Sequence, residues 1–118
     1  MRSRCLAQIA RLALCVPVLA VPGLAQDDAI EWKACLKQKP AWYATEQAAR
    51  VADNVLLYQR ASGGWPKNLD MARPLDDGDR EKLAREKTGT DSTIDNGATC
   101  TPLVFLARIV QAQKAERF

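Results

Sequence analysis

Two stretches of this chain concentrate residue types that bind oxygen-rich ligands. The first is Gly63-Gly64-Trp65-Pro66-Lys67-Asn68. An aromatic ring beside a tight turn, followed by a cation and an amide, suits an acidic sugar. Trp65 would cover the apolar face of a pyranose, while Lys67 and Asn68 would take carboxylate and hydroxyl oxygens. The plainer alternative makes Trp65 a plug for a helical core and Lys67 a solvated cation. The second stretch is Thr90-Asp91-Ser92-Thr93-Ile94-Asp95-Asn96-Gly97-Ala98-Thr99. Asp91, Asp95 and Asn96, with hydroxyls around them, are the hard oxygen donors that calcium prefers. The spacing is not that of an EF-hand, because Gly97 falls in the wrong place and no terminal Glu follows. Here the plainer alternative is capping, since Asp, Asn and Thr commonly precede an apolar helix.

These loops need helices to hold them. Ala44, Ala48, Val51, Ala52, Val55 and Tyr58 fall at helical spacing and predict a helix over Trp42–Tyr58, with Pro40 just before it and Gly63-Gly64 as its stop. Ser62–Asp79 is rich in turn residues. A short polar helix over Asp79–Lys87 follows, with Glu81/Arg85 and Lys82/Glu86 four apart, little apolar face beyond Leu83, and Gly89 after it. It reads as a solvated surface insertion. The third helix starts after Asn96-Gly97, takes Pro102 into its first turn, and runs through Leu103, Phe105, Leu106, Ile109 and Val110 to about Lys114. Apolar on nearly every side, it asks for several packing partners. No strand alternation appears, so the class is all-α.

Composition narrows the setting. The chain has 118 residues, room for at most one small domain. Residues 1–25 have the pattern of a secretory signal: Arg2, Arg4 and Arg11 in front, a short apolar run over Leu12–Val21, then Gly23-Leu24-Ala25 for cleavage. Secretion or a periplasmic location is the expectation. Three of the 17 Lys and Arg lie in that leader, so the remaining 14 balance the 14 Asp and Glu. Neutral overall, the mature chain gives no electrostatic case for nucleic acid or membranes. Cys35 and Cys100 remain, either as a disulfide or as two thiols, and without any His no zinc site can be assembled from them. Two good helices bury little core, which points to a portion of a larger domain.

Taken together, Val51-Ala52-Asp53-Asn54-Val55-Leu56-Leu57-Tyr58-Gln59-Arg60, Gly63-Gly64-Trp65-Pro66-Lys67-Asn68 and Ser92-Thr93-Ile94-Asp95-Asn96-Gly97-Ala98-Thr99, with Phe105-Leu106-Ala107-Arg108 after them, closely resemble the opening blocks of family 10 pectate lyases. The resemblance runs from about Trp42 to Phe118. It implies that residues 26–118 are the N-terminal part of a catalytic domain, the first helices of an (α/α) toroid with its site in a cleft at one end. It also implies β-elimination on polygalacturonate or pectic oligosaccharides: the C5 proton of galacturonate is removed, the C4 oxygen leaves, and calcium bridges enzyme and substrate carboxylate. By the same resemblance Asp95 is the candidate for the calcium or carboxylate site and Asp91 a second metal candidate. Trp65, Lys67, Asn68 and Asn96 belong to the substrate cleft. The family's catalytic arginine lies on later helices, so no catalytic residue is assigned within this chain; Arg60 and Arg108 do not match its position. Cys100 and Pro102 depart from the pattern, where hydroxyl and polar residues are more usual. Two other readings compete. Gln59-x-x-x-Gly63-x-Trp65 has the spacing of a motif in isoprenoid-cyclase-like helical barrels, and a non-catalytic secreted remnant would share the same ancestry.

Overall fold

A computed structural model describes residues 29–114; the leader assigned to residues 1–25 and the chain end at 115–118 lie outside the described residues. Four α-helices follow in order: α1 Trp32–Cys35, α2 Glu46–Tyr58, α3 Asp77–Glu86 and α4 Cys100–Gln113, with 3-10 turns over Pro40–Ala44 and Asp95–Gly97. No strand occurs among the described residues, and the helical class stands.

Helix α2 buries Ala48, Val51, Ala52, Val55 and Tyr58 of the stripe its spacing predicts, while Ala44, the first of that stripe, is exposed in the 3-10 turn before the helix. Its start differs from the expected Trp42. Thr45 adopts an extended conformation and its hydroxyl accepts from the Ala48 N–H at 3.2 Å, so it caps α2 instead of continuing it. The preceding residues close a separate 3-10 turn led by Pro40. That break turns Trp42 and Tyr43 toward Phe105 of α4, with ring centroids 6.3 and 6.1 Å away.

Helix α4 inserts Pro102, Phe105 and Ile109 into the core. Leu106 packs partly against that core, while Leu103, Val104 and Val110 are exposed among the described residues. Helix α3 begins two residues earlier than expected, because Asp76 and Asp79 form a reciprocal capping box. Leu83 alone in α3 is buried. The helix is nevertheless tied down. The Ala61 N–H donates to the Lys87 carbonyl at 2.7 Å, and the Lys87 ammonium donates to the last carbonyls around α2, Leu56 at 2.8 Å and Gln59 at 2.9 Å. A cation at a helix C-terminus is favourably placed against the helix dipole. Burial, with the Arg60 charge nearby, lowers the Lys87 pKa. The two cysteines are free thiols, Cys35 buried and Cys100 exposed, so the open question of a disulfide closes against the bridge. Burial pushes the Cys35 thiol up to about 11, which keeps it protonated and inert.

Candidate functional site

The two oxygen-rich stretches meet. The Thr93 N–H donates to the Trp65 carbonyl at 3.0 Å, the Trp65 N–H to the Thr99 hydroxyl at 3.2 Å, and that hydroxyl to the Thr93 carbonyl at 2.8 Å. Thr99 therefore spends its oxygen on joining the loops, and its side chain makes no cap for α4. Gly64 makes the approach feasible: a Cβ there would lie 3.0 Å from the Ser92 Cβ and 3.1 Å from the Thr99 hydroxyl.

Trp65 is a correction. Its side chain is fully buried, and its indole N–H donates to the Val55 carbonyl at 2.7 Å. No ring face is left for a sugar, so the plainer reading as a core plug holds. Gln59 is likewise local, its amide donating to the Gly63 carbonyl at 2.9 Å. Asp91 is engaged within the fold, with its side chain still 56% exposed. Arg60, buried at the loop base, donates from Nε to one Asp91 oxygen at 2.6 Å and from Nη2 to the other at 2.9 Å. Glu86 adds a longer contact of 3.5 Å to Nη2. The Arg60 hydrogen bond holds the Asp91 carboxyl below the usual range. A carboxylate already chelated by a guanidinium is a poor second home for a cation.

The remaining candidates stay at the surface, on a ridge made by Pro66-Lys67-Asn68-Leu69. The Lys67 ammonium lies 3.8 Å from an Asp95 oxygen, with the two side chains 49% and 67% exposed. Such a pair is weak and easily exchanged for a ligand. Asn68 and Asn96 both have left-handed backbones, φ 62° and 51°, and both face one groove of about 500 Å3. Gly97 follows at φ 71°, in a place where a Cβ would sit 2.7 Å from the Thr101 hydroxyl. The 95–97 turn thus needs its Asn-Gly pair for shape. On the other side of the ridge a basic groove of about 640 Å3 runs between Lys67 and α3, with Lys82 and Arg85 on its wall.

The 500 Å3 groove also contains residues that the sequence did not single out. Trp32, Lys33, Leu36 and Lys37, from α1 and the turn after it, form its opposite wall. Four helical residues carry no readable periodicity, and two lysines one turn apart are common on solvated helices. A larger cavity of about 740 Å3 lies away from both loops, beside Tyr43 and Arg108. There Arg108 donates to the Leu36 carbonyl at 2.7 Å and the Tyr43 hydroxyl at 2.9 Å, a structural bracket with no predicted site residue near it.

As a calcium site the described residues fall short. Asp95 offers one carboxylate, and Asn68 and Asn96 offer amide oxygens. Asp91 is committed elsewhere, and no group of three or more acidic, Cys or His side chains fit to hold a metal occurs among the described residues. Calcium takes six to eight oxygens. The two carboxylate and two amide oxygens of these side chains fall short of that number.

The class of protein is now defined: helical throughout its described residues, with paired loops that set two amides in one groove and a cation beside a carboxylate at the surface next to it. The pectic acid lyase family model matches residues 59–118, half of the chain and all of both loops, and the chain belongs to that family. The isoprenoid-cyclase-like reading is set aside by that match. Comparison with curated proteins and with solved structures gave no match. No helix among the described residues is long and apolar enough to cross a membrane.

Proposed function

We propose that the protein acts on polygalacturonate as a pectate lyase, cleaving by β-elimination, and that the described loops form part of its substrate cleft within an (α/α) toroid. The observation that supports this best is positional. The family match spans Lys67, Asn68, Asp95 and Asn96, and the fold sets Asn68 and Asn96 in one groove and Lys67 beside Asp95 at the adjoining surface, while burying Trp65 and pairing Asp91 with Arg60. In this reading Lys67 holds a uronate carboxylate in place of its loose contact with Asp95. The Asn68 and Asn96 amides accept from and donate to sugar hydroxyls, and their turn-fixed backbones set the orientation of the ring. Asp95 would contribute one carboxylate toward calcium, which when bound would supply positive charge where charge develops after C5 deprotonation. No base is assigned on this chain, since Arg60 is given to Asp91 and Arg108 to Leu36 and Tyr43. Residues 1–25 act as an export signal, and the mature protein works outside the cytoplasm; its mass after export should begin at Gln26.

The test is the ultraviolet absorbance of the unsaturated uronate product on polygalacturonate, with and without chelator, beside direct binding of galacturonate oligomers. In a full-length version carrying the family's base, a chelator-sensitive rise is expected, cut by roughly a hundredfold or more in Asp95→Ala, because metal-assisted charge stabilisation is worth several kcal/mol. Binding without product would instead favour a non-catalytic remnant. Neither binding nor product would sink the reading.

A further inference from the structure

The wall of the groove opposite Asn68 and Asn96 comes from α1, outside the matched half of the chain. Among the described residues its charged lining is Lys33 and Lys37, with no Asp or Glu, while Glu31 and Asp70 line the adjoining hollow beside Lys33 and Asn68. A groove bearing two cations and two amides is suited to an anionic, hydroxyl-rich ligand. The lysines are also carried on a fixed support. The Asp70 carboxylate accepts from the Trp32 N–H at 3.1 Å and the Ala72 N–H at 3.0 Å, which fastens the start of α1 to the segment after the ridge. Trp32 packs edge-on against Phe105 at 5.2 Å between centroids. At the far end the Tyr43 hydroxyl donates to the Cys35 carbonyl at 2.8 Å, and Arg108 to the Leu36 carbonyl at 2.7 Å. The backbone below both lysines is therefore pinned at either end. Only the lysine tails must be ordered when a ligand arrives, which keeps the cost of binding low.

We infer that α1 and the turn after it form a substrate-binding element, in which Lys33 and Lys37 read the free carboxylates of a polyuronate while its sugar hydroxyls face Asn68 and Asn96. The inference rests on the proposed action on polygalacturonate and adds what selects unesterified sugar. A methyl ester removes the negative charge and leaves the hydroxyls, so it isolates the lysine contribution.

The experiment measures binding of trigalacturonate and of its methyl ester to the full chain by calorimetry, for the unaltered protein, Lys33→Gln/Lys37→Gln and Lys33→Arg/Lys37→Arg. Two exposed ion pairs together support a loss of roughly tenfold in affinity for the acid form. The Gln variant should show that loss with its affinity for the ester unchanged, and the Arg variant should keep the preference for the acid. Both lysines are exposed, so thermal melting should be the same in all three proteins. Equal affinity of the Gln variant for the acid, or equal loss for acid and ester, would overturn the inference alone. If the unaltered protein binds neither ligand, the proposed function falls with it.

Discussion

The paired loops have two ends that use similar residues for opposite purposes. At the inner end Trp65, Thr93 and Thr99 are laced together, and Arg60 clasps Asp91 at 2.6 and 2.9 Å. At the outer end Lys67 meets Asp95 at only 3.8 Å, and both stand mostly in solvent. Each end has a cation and an aspartate, yet only the inner pair is short, bidentate and anchored on a buried side chain. The difference teaches how such a site is built. Polar groups that spend their bonding capacity within the fold give position, and those left with capacity to spare can take a ligand.

The sharpest way to break the inner end is to remove its plug. Trp65→Ala empties a fully buried indole site and strands the Val55 carbonyl, at a cost of about 3–5 kcal/mol. Urea denaturation should show a midpoint lowered by most of the stability a small domain has. A loss below about 1 kcal/mol would mean that the ring does not hold this core. Next is Thr99→Val, which keeps the shape but deletes the hydroxyl joining the Trp65 N–H to the Thr93 carbonyl. Leaving two partly buried groups unpartnered should cost about 1–3 kcal/mol. Thr99→Ser, which restores the hydroxyl, should recover most of it.

Much of this division was hidden in the sequence, for physical reasons that differ by residue. The α2 stripe was legible because five side chains repeat at helical spacing and all five are buried. The start of α2 was misplaced because Thr45 can either continue a helix or cap one, and only its extended backbone decides between them. Both motifs were visible as candidate chemistry, but residue type alone could not sort Trp65 from Lys67. An indole beside a tight turn can stack on a sugar or fill a core, and the choice depends on whether α2 passes beneath it. The pairing of Asp91 was not legible, because its partner Arg60 lies 31 positions away and carries no local signal. The α1 wall left no trace at all: four helical residues are too few for periodicity, and the bond from Trp32 to Asp70 spans 38 positions.

Acid should separate the two ends by a smaller margin. Asp91 has its folded pKa depressed, first by the Arg60 hydrogen bond. The stability it lends is therefore complete above the ordinary Asp value of about 3.9 and is lost as pH falls through the lower folded value. Asp79, held down to about 2 by its hydrogen bond from Arg73, follows the same rule at the start of α3. Thermal melting should thus be flat from neutral pH to about 5 and decline from about 4 downward. In Asp91→Asn the decline should be shallower, and the difference from the unaltered protein should shrink toward pH 2. A difference that grew on acidification would reverse the sign and remove Asp91 from the inner clasp.

The outer end gives the smallest stability effect and the clearest contrast. Lys67→Gln and Asp95→Asn each delete one partner of an exposed contact, so neither should move unfolding free energy by more than about 0.5 kcal/mol. Lys67→Gln should weaken binding of galacturonate oligomers, because the lost cation is the one free to take a uronate carboxylate; Asp95→Asn should weaken it only with calcium supplied, since a bare carboxylate repels a uronate. Denaturation and calorimetry on the same samples check both halves. If either variant unfolded as readily as Thr99→Val while binding the sugar normally, the outer pair would prove to be a second clasp. The division between a holding end and a binding end would then have been drawn in the wrong place.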